Sequence, residues 1–484
     1  MESKTGIFES EHAFGVTLDI PESERLALIA KVTAYSEQFI SSLKDAKGFY
    51  QKTPQSLDIT GERKSIDELL DIYHREVVQN GINAASGTHL GYIPGGGVFV
   101  AALADYLAAV TNPFAGVYYA SPGAAAIENE VVNWLKSVFS FPDSALGCLS
   151  SGGSISTLIA FTAARDRHQI KNERIGNSVV YLTEQVHHST QKALRIIGLE
   201  DLIVRYIAVD SNSRMRADLL EEQILSDIAS GLNPFLLVGT AGTTDTGAVD
   251  PLLDLAHISE KHRLWFHVDA AYGGFFILSS RKPLFKGIER ADSLIVDPHK
   301  GLFLPYGVGA VLIKDRQAVL HSNHYVANYM QDGEAEEAGR SPSNLSPELT
   351  RHFRGLRVWF SLQYHGISPF ITCLEEKLQL VKYFREQLLK LGFCLGPEPD
   401  LTVSYFWYPF KDRTNELNKL LMQKIHDDGS VFLSSTIVNQ RFVIRIAVLA
   451  FRTTQETIDR ALIMIRKSLN QVVEHEQSDV VNTT

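Results

Sequence analysis

Along residues 178–313 the apolar positions come in short uninterrupted runs, separated by longer stretches in which they recur every three to four residues. Short apolar runs bounded by turn formers read as strands buried on both faces, and the longer period reads as amphipathic helix. Strands are therefore expected at 178–182, 202–208, 234–240, 264–268 and 293–296, helices at 189–197, 216–230 and 251–261, and a further strand at 307–313. Repeated strand–helix units build a mostly parallel sheet with helices on both faces, so the expected fold class is α/β.

The flanking pattern is different. Residues 1–20 show no period and read as an arm; 21–43 is helical, with Ile29, Val32, Phe39, Ile40 and Leu43 on one side. A second helix is expected at 65–78, where Ser65 and Glu68 have capping-box spacing. Residues 81–97, GINAASGTHLGYIPGGG, carry six glycines and a proline and read as irregular backbone; helices follow at 98–110 and within 120–139, with Pro122 near the start of the second. After residue 313 comes an acidic, small-residue stretch within 321–347 that reads as a mobile lid, then a helix from near Thr350 that Pro369 kinks or ends. Segments 374–391 (helix), 401–408 (strand), 417–427 (helix), 442–448 (strand) and 454–469 (helix) form an α+β unit, and the tail QSDVVNTT reads as disordered. The expected division is 1–95, a helical segment packing on a partner subunit; 96–368, the large domain; and 369–484, a small C-terminal domain.

Several expected strands end on polar groups that burial would not choose. The run at 264–268 ends in Asp269, and that at 293–296 in Asp297-Pro298-His299-Lys300. Ligands of parallel α/β sheets bind outside the carboxyl ends of the strands, so an acid and a lysine placed there face one crevice. A pyridoxal phosphate enzyme needs that pair: an amine to hold the aldehyde as an imine and a carboxylate to keep the ring nitrogen protonated. Upstream, Leu149-Ser150-Ser151-Gly152-Gly153-Ser154 precedes a helical run at 155–168, and small residues at a helix start let backbone N–H groups approach an oxyanion. The strand at 178–182 leads to Glu184-Gln185-Val186-His187-His188, and that at 234–240 to a threonine-rich turn containing Thr244.

Composition narrows the alternatives. The 484 residues exceed the size at which one core stops growing, which suggests two or three domains. A net charge of −10 with no long Lys/Arg block argues against nucleic acid as a partner. No apolar stretch approaches the roughly 18–20 residues that span a bilayer. Cys148, Cys373 and Cys394 are widely spaced and include no CxxC, so neither a disulfide framework nor a metal site is expected, and a cytoplasmic location is.

Taken together, HVDAAYGG, DPHKG, EQVHHS and SSGGS resemble the group II pyridoxal phosphate-dependent decarboxylases, which include the aromatic amino acid, glutamate and cysteine sulfinate decarboxylases. The resemblance runs from the loop at Gly81 to the strand FVIRIAV. It implies a fold of the PLP-dependent transferase type (fold type I), a homodimer, and decarboxylation of an L-amino acid to the amine and carbon dioxide. By the same resemblance Lys300 carries the cofactor, Asp269 pairs with the pyridine nitrogen, and His187 stacks on the ring. Ala271 touches the other face, Gly153 and Ser154 hold the phosphate, Thr244 lies near the cofactor, and His299 neighbours the lysine. Tyr92, Pro94 and Arg445 are the substrate candidates.

Three positions depart from the family pattern. Asp297 stands where an asparagine commonly helps to bind phosphate. Ser341 lies where the mobile loop commonly carries a proton-donating tyrosine, with Tyr325 and Tyr329 earlier in the segment. Gly116 replaces an expected aromatic. The missing loop tyrosine keeps decarboxylation coupled to oxidative deamination as an alternative, beside a transaminase on the same fold and an inactive cofactor-binding homologue.

Overall fold

The computed structural model describes residues 18–323 and 340–483, with side chains to residue 476. The expected lid, with Tyr325 and Tyr329, and most of the N-terminal arm lie outside the described residues.

Seven strands form the main sheet: β1 (Leu146–Ser150), β2 (Ser178–Leu182), β3 (Ile203–Tyr206), β4 (Asn233–Thr240), β5 (Trp265–Asp269), β6 (Ser293–Val296) and β7 (Gly309–Ile313). Their order is β1-β7-β6-β5-β4-β2-β3. Strands β2 to β6 pair in parallel, whereas β7 is antiparallel to both β1 and β6. The strand expected at 307–313 thus exists, but runs against its neighbours. Six of the seven strands point their carboxyl ends the same way.

Alternate residues of these strands enter two separate cores. Tyr181, Leu237, Phe266, Val268, Leu294 and Leu312 belong to one, and Val180, Leu182, Leu236, Val238, Ile295 and Val311 to the other. This is the period-2 consequence of a sheet covered on both faces, and it explains why the strands read as continuous apolar runs. A second, four-stranded antiparallel sheet comprises β8 (Cys394–Leu395), β9 (Val403–Trp407), β10 (Ser434–Val438) and β11 (Arg441–Ala447) in the order β8-β9-β11-β10, over a core of its own with Phe384, Leu421 and Ile465.

Local sequence explains most boundaries. Ser65 and Glu68 do form the capping box of Ile66–Tyr73, although the helix then widens into a π turn at His74–Val78. Pro369 does not end the preceding helix: Arg354–His365 stops at Gly366 (φ 68°), and Pro369 sits in the first turn of Ser368–Lys390, where its missing N–H costs nothing. The tail read as disordered continues the helix Gln455–Thr483; propagation from a packed helix needs only one residue fixed per added bond. The helix Glu22–Ser42 has the expected stripe but buries none of its residues, and Leu26, Ile29 and Val32 are exposed. No helix among the described residues is long and apolar enough to cross a membrane.

Two buried histidines link this core to pH. Burial lowers His89 to about 4 and His267, in β5, to about 3. A histidine kept neutral by the fold binds fewer protons than in the unfolded chain. Its contribution is therefore complete above pH 6.5 and is lost as pH falls towards 4 or 3. The stability from urea denaturation is expected to drop between pH 6.5 and 4 by up to about 1.4 kcal/mol per pH unit for each such histidine. A flat profile in that window would contradict the neutral assignment.

Candidate active site

The carboxyl ends of β1, β2, β4, β5 and β6 open into one cavity of about 330 Å³, and Gly153, Ser154, His187, Thr244, Asp269, Ala271, Asp297, His299 and Lys300 all line it. Every cofactor-binding residue expected from sequence is thus brought to one place, although the residues come from segments up to 147 positions apart in the chain (300 − 153).

Asp269 is the last residue of β5, paired in register with Thr240 of β4 and Ile295 of β6. Its Oδ1 accepts the N–H of Ala271 at 3.0 Å. Burial raises its pKa, opposed by that N–H and by the charge of Lys300. On the adjacent strand end, a single turn of helix, Pro298–Gly301, carries Lys300 back towards the cavity. Lys300 Nζ lies 3.0 Å from Asp297 Oδ2, and His299 Nε2 lies 3.7 Å from the same oxygen. His299 Nδ1 is 2.6 Å from the Val308 carbonyl, so this nitrogen bears the proton and the ring is fixed.

His187 lies in the loop after β2. Ser189 N–H and the Ser189 hydroxyl both approach Nδ1, at 3.3 and 2.8 Å, which makes Nδ1 an acceptor and places the proton on Nε2. Burial, then His188, then Lys300 lower its pKa to about 4. The ring is neutral throughout the physiological range.

Opposite, β1 passes through Gly152 into the helix Gly153–Arg167. Gly152 has φ 151° and ψ 176°, a conformation open essentially to glycine. The first N–H groups of a helix have no intrahelical partner, so Gly153 and Ser154 present donors reinforced by the helix dipole. Crowding here is tight: a Cβ on Gly153 would lie 3.2 Å from Asp297 Oδ2 and 3.3 Å from the Ala271 methyl. At the start of β7, a Cβ on Gly309 would lie 2.6 Å from both Asp297 Oδ1 and Gly152 Cα. Gly309→Ala is accordingly expected to displace this wall and weaken cofactor binding at least about tenfold. An absorbance titration with pyridoxal phosphate that matches the unsubstituted protein would refute the crowding argument.

The substrate candidates are placed differently, for none of the three lines the cavity. Arg445, buried in β11, donates from Nε and Nη2 to the Thr244 carbonyl, from Nη2 to the Tyr92 carbonyl at 3.0 Å, and from Nη1 to Ser434 Oγ at 2.9 Å. Its guanidinium ties the Thr244 turn to the Tyr92 loop instead of facing a ligand. Pro94 is buried, and its neighbour Gly95 abuts the lysine turn so closely that a Cβ would meet the His299 carbonyl at 2.2 Å. Tyr92 is 58% exposed, with φ 44° and its ring 5.5 Å from that of Phe432. Gly116 is forced by packing, since a Cβ there would meet the Leu349 carbonyl at 2.1 Å. Ser341 is buried, and its hydroxyl accepts the Tyr118 N–H at 3.0 Å.

Sequence reasoning did not single out Gln185, Ser189, Thr240, Gly242 and Tyr272 as lining residues. Gln185 and Tyr272 stand inside the motifs already noted. Two buried acceptors in the wall, Gln185 Oε1 and Asp297 Oδ1, have no hydrogen-bond partner within the protein, and buried polar atoms of that kind ordinarily find one. With helix-start donors at one end, an acid at the other and an amine between, the residues present fit pyridoxal phosphate.

Comparison with known proteins agrees. Residues 50–409 match the pyridoxal-dependent decarboxylase conserved domain. An aromatic-L-amino-acid decarboxylase of Bacillus atrophaeus is 35% identical over 413 residues, covering 84% of this chain and 86% of the relative. Tryptophan decarboxylase 2 of Oryza sativa subsp. japonica is 28% identical over 84% of this chain and 86% of its own. The crystal structure of Catharanthus roseus tryptophan decarboxylase with L-tryptophan superposes with a TM-score of 0.86 at 21% identity, covering 94% and 99% of the two chains, and thereby supports the fold. The fold, the convergence of the cavity residues and these matches lead to one conclusion: the chain belongs to the pyridoxal-dependent decarboxylase family.

Proposed function

We propose that this pyridoxal phosphate-dependent amino-acid decarboxylase acts on an aromatic L-amino acid, releasing carbon dioxide and the corresponding amine. The observation that carries the chemistry is the pair Asp269 and Lys300 at adjacent strand ends on one cavity. The aromatic preference rests on the relatives named for aromatic, tryptophan and tyrosine decarboxylation.

When bound, pyridoxal phosphate supplies an aldehyde for amines and a ring that accepts the electrons of the breaking carbon–carbon bond. The chain's own groups do the rest. Gly153 and Ser154 would hold the phosphate through backbone N–H donors, and Asp269 would keep a proton on the ring nitrogen. Neutral His187 and Ala271, which line the same cavity, would enclose the ring between them, exclude water and orient the substrate for loss of its carboxylate. Lys300 presents the amine. Arg445 is a positioning residue that fixes the Thr244 turn.

An amino-acid panel with carbon dioxide and product mass as readouts tests the reading. Tyrosine, tryptophan or dihydroxyphenylalanine should yield amine at the highest kcat/KM. Preferred turnover of acidic amino acids would overturn the aromatic preference, and stoichiometric peroxide with ammonia would replace simple decarboxylation by the oxidative alternative.

The reading includes a homodimer in the cytosol and the division 1–95, 96–368 and 369–484. The unburied Glu22–Ser42 helix and the exposed Phe99, Leu103, Tyr106, Leu107 and Val110 of Phe99–Thr111 support a second copy as their cover. Its three cysteines are free thiols, which suits a reducing compartment. Sedimentation should find a dimer at micromolar concentration; a fully active monomer would refute it.

A further inference from the structure

Asp297 is buried in contact with both halves of the cofactor site. It is 1% exposed. Its Oδ2 faces Lys300 Nζ at 3.0 Å, and its Oδ1 is buried without a hydrogen-bond partner. The contacts of Gly153 and Gly309 place the same carboxyl against the start of the helix whose N–H groups are assigned to phosphate. Without cofactor, the Lys300 ammonium compensates the carboxylate. A phosphate arriving at Gly153 brings more negative charge, and a lysine joined covalently to the cofactor no longer offers a free ammonium. Burial makes an uncompensated charge far costlier than a neutral acid.

The other groups facing Asp297 do not restore the balance. His299, on the same turn, is pushed towards its neutral form by burial. His187, from the loop after β2, is neutral for the reasons given, and Asp269, from the end of β5, adds negative charge when ionised.

We propose that Asp297 accepts the proton that Lys300 must shed to become a nucleophile, and retains it so that the loaded protein presents a carboxylic acid O–H to the cofactor's phosphate. The Nζ–H bond facing Oδ2 breaks, its electron pair stays on nitrogen, and an O–H bond forms on Asp297; no other reactant is needed. The free amine then bonds to the aldehyde carbon, and its two hydrogens leave with the aldehyde oxygen as water. A protonated carboxyl offers one donor and keeps acceptor capacity. It can therefore serve where relatives commonly use an asparagine amide, while also providing what an amide cannot: a base beside the lysine.

The inference rests on Lys300 being the cofactor-bearing lysine. Infrared difference spectra of the whole protein, with minus without pyridoxal phosphate, should gain a protonated-carboxyl C=O band that is missing from Asp297→Asn. Calorimetry in buffers of different ionisation enthalpy should show one more proton taken up on cofactor binding than in Asp297→Asn. Cofactor affinity relative to that variant should then fall about tenfold per pH unit on the alkaline side. Absence of the band, or equal proton uptake, would overturn the proposal. Carboxyl-labelled aspartate in the unsubstituted protein keeps the spectral test decisive if the variant fails to fold. Borohydride reduction followed by peptide mapping separates the two layers: label on another lysine removes the parent assignment, whereas label on Lys300 without the band removes the role of Asp297 alone.

Discussion

Lys300→Ala is expected to lose decarboxylation by at least about 10³-fold in kcat, about 4 kcal/mol on the barrier. The reason is geometric as well as chemical. The Pro298–Gly301 turn directly after β6 presents one amine to the cavity, 24% exposed in its side chain and held by Asp297. Alanine removes both the nucleophile and the covalent tether by which the lysine would hold the cofactor. Cofactor retention should therefore also fall, and dialysis should strip pyridoxal phosphate from the variant while the unsubstituted protein stays yellow. An absorbance band of lysine-bound cofactor that persists in Lys300→Ala without added amine would refute the assignment.

Asp269→Asn is the second large effect, and it acts on the electron sink. A carboxylate and a pyridinium about 4 Å apart interact by roughly 4 kcal/mol at an effective dielectric of about 20. That is equivalent to about three units in the ring nitrogen's pKa before opposing desolvation. Asparagine preserves the shape and an acceptor for the Ala271 N–H, but not the charge. The expected result is a variant that folds and binds cofactor, with kcat reduced about 10²- to 10³-fold and the spectrum of the bound cofactor changed. A kcat within about threefold of the original would show that Asp269 does not hold the ring proton. Burial already raises the Asp269 pKa. A ring nitrogen paired with Asp269 would have to reverse that tendency, so acid and ring would depend on each other for their charges.

The strands and the chemistry at their ends were legible because both follow local rules: apolar runs for doubly covered strands, and polar residues at their carboxyl ends where ligands bind. Asp269 and Lys300 could be placed on one sheet edge from the strand pattern, whereas His187 was singled out from its polar cluster only by the family resemblance. Other features depend on contacts that spacing does not encode. Strand periodicity carries no direction, so the reversal of β7 was invisible. Strand β10, SSTIV, alternates buried and exposed positions over only five residues, three of them polar, and offered no apolar run. Arg445 was a reasonable candidate for a substrate carboxylate until the Thr244 and Tyr92 carbonyls were seen to converge on it. The stripe on the first helix was legible, but a stripe does not say whether its cover lies in the same chain.

The reversal of β7 has a consequence for engineering. Strands β1, β2, β4, β5 and β6 approach the site with their carboxyl ends, and their loops can change length while the strands stay in register. Strand β7 approaches with its beginning, Gly309, which pairs with Ser150 on one side while Ala310 pairs with Val296 on the other. Segment 302–308 therefore joins two fixed points of the same wall, the lysine turn and the glycine that accommodates Asp297. An insertion there must either bulge or slide β7 by one position, and sliding would exchange the faces that Val311 and Leu312 present to the two cores. In a scan of single-residue insertions, this short segment should be among the least tolerant connections of the fold, and its length should be the part of the active site that a designer leaves untouched.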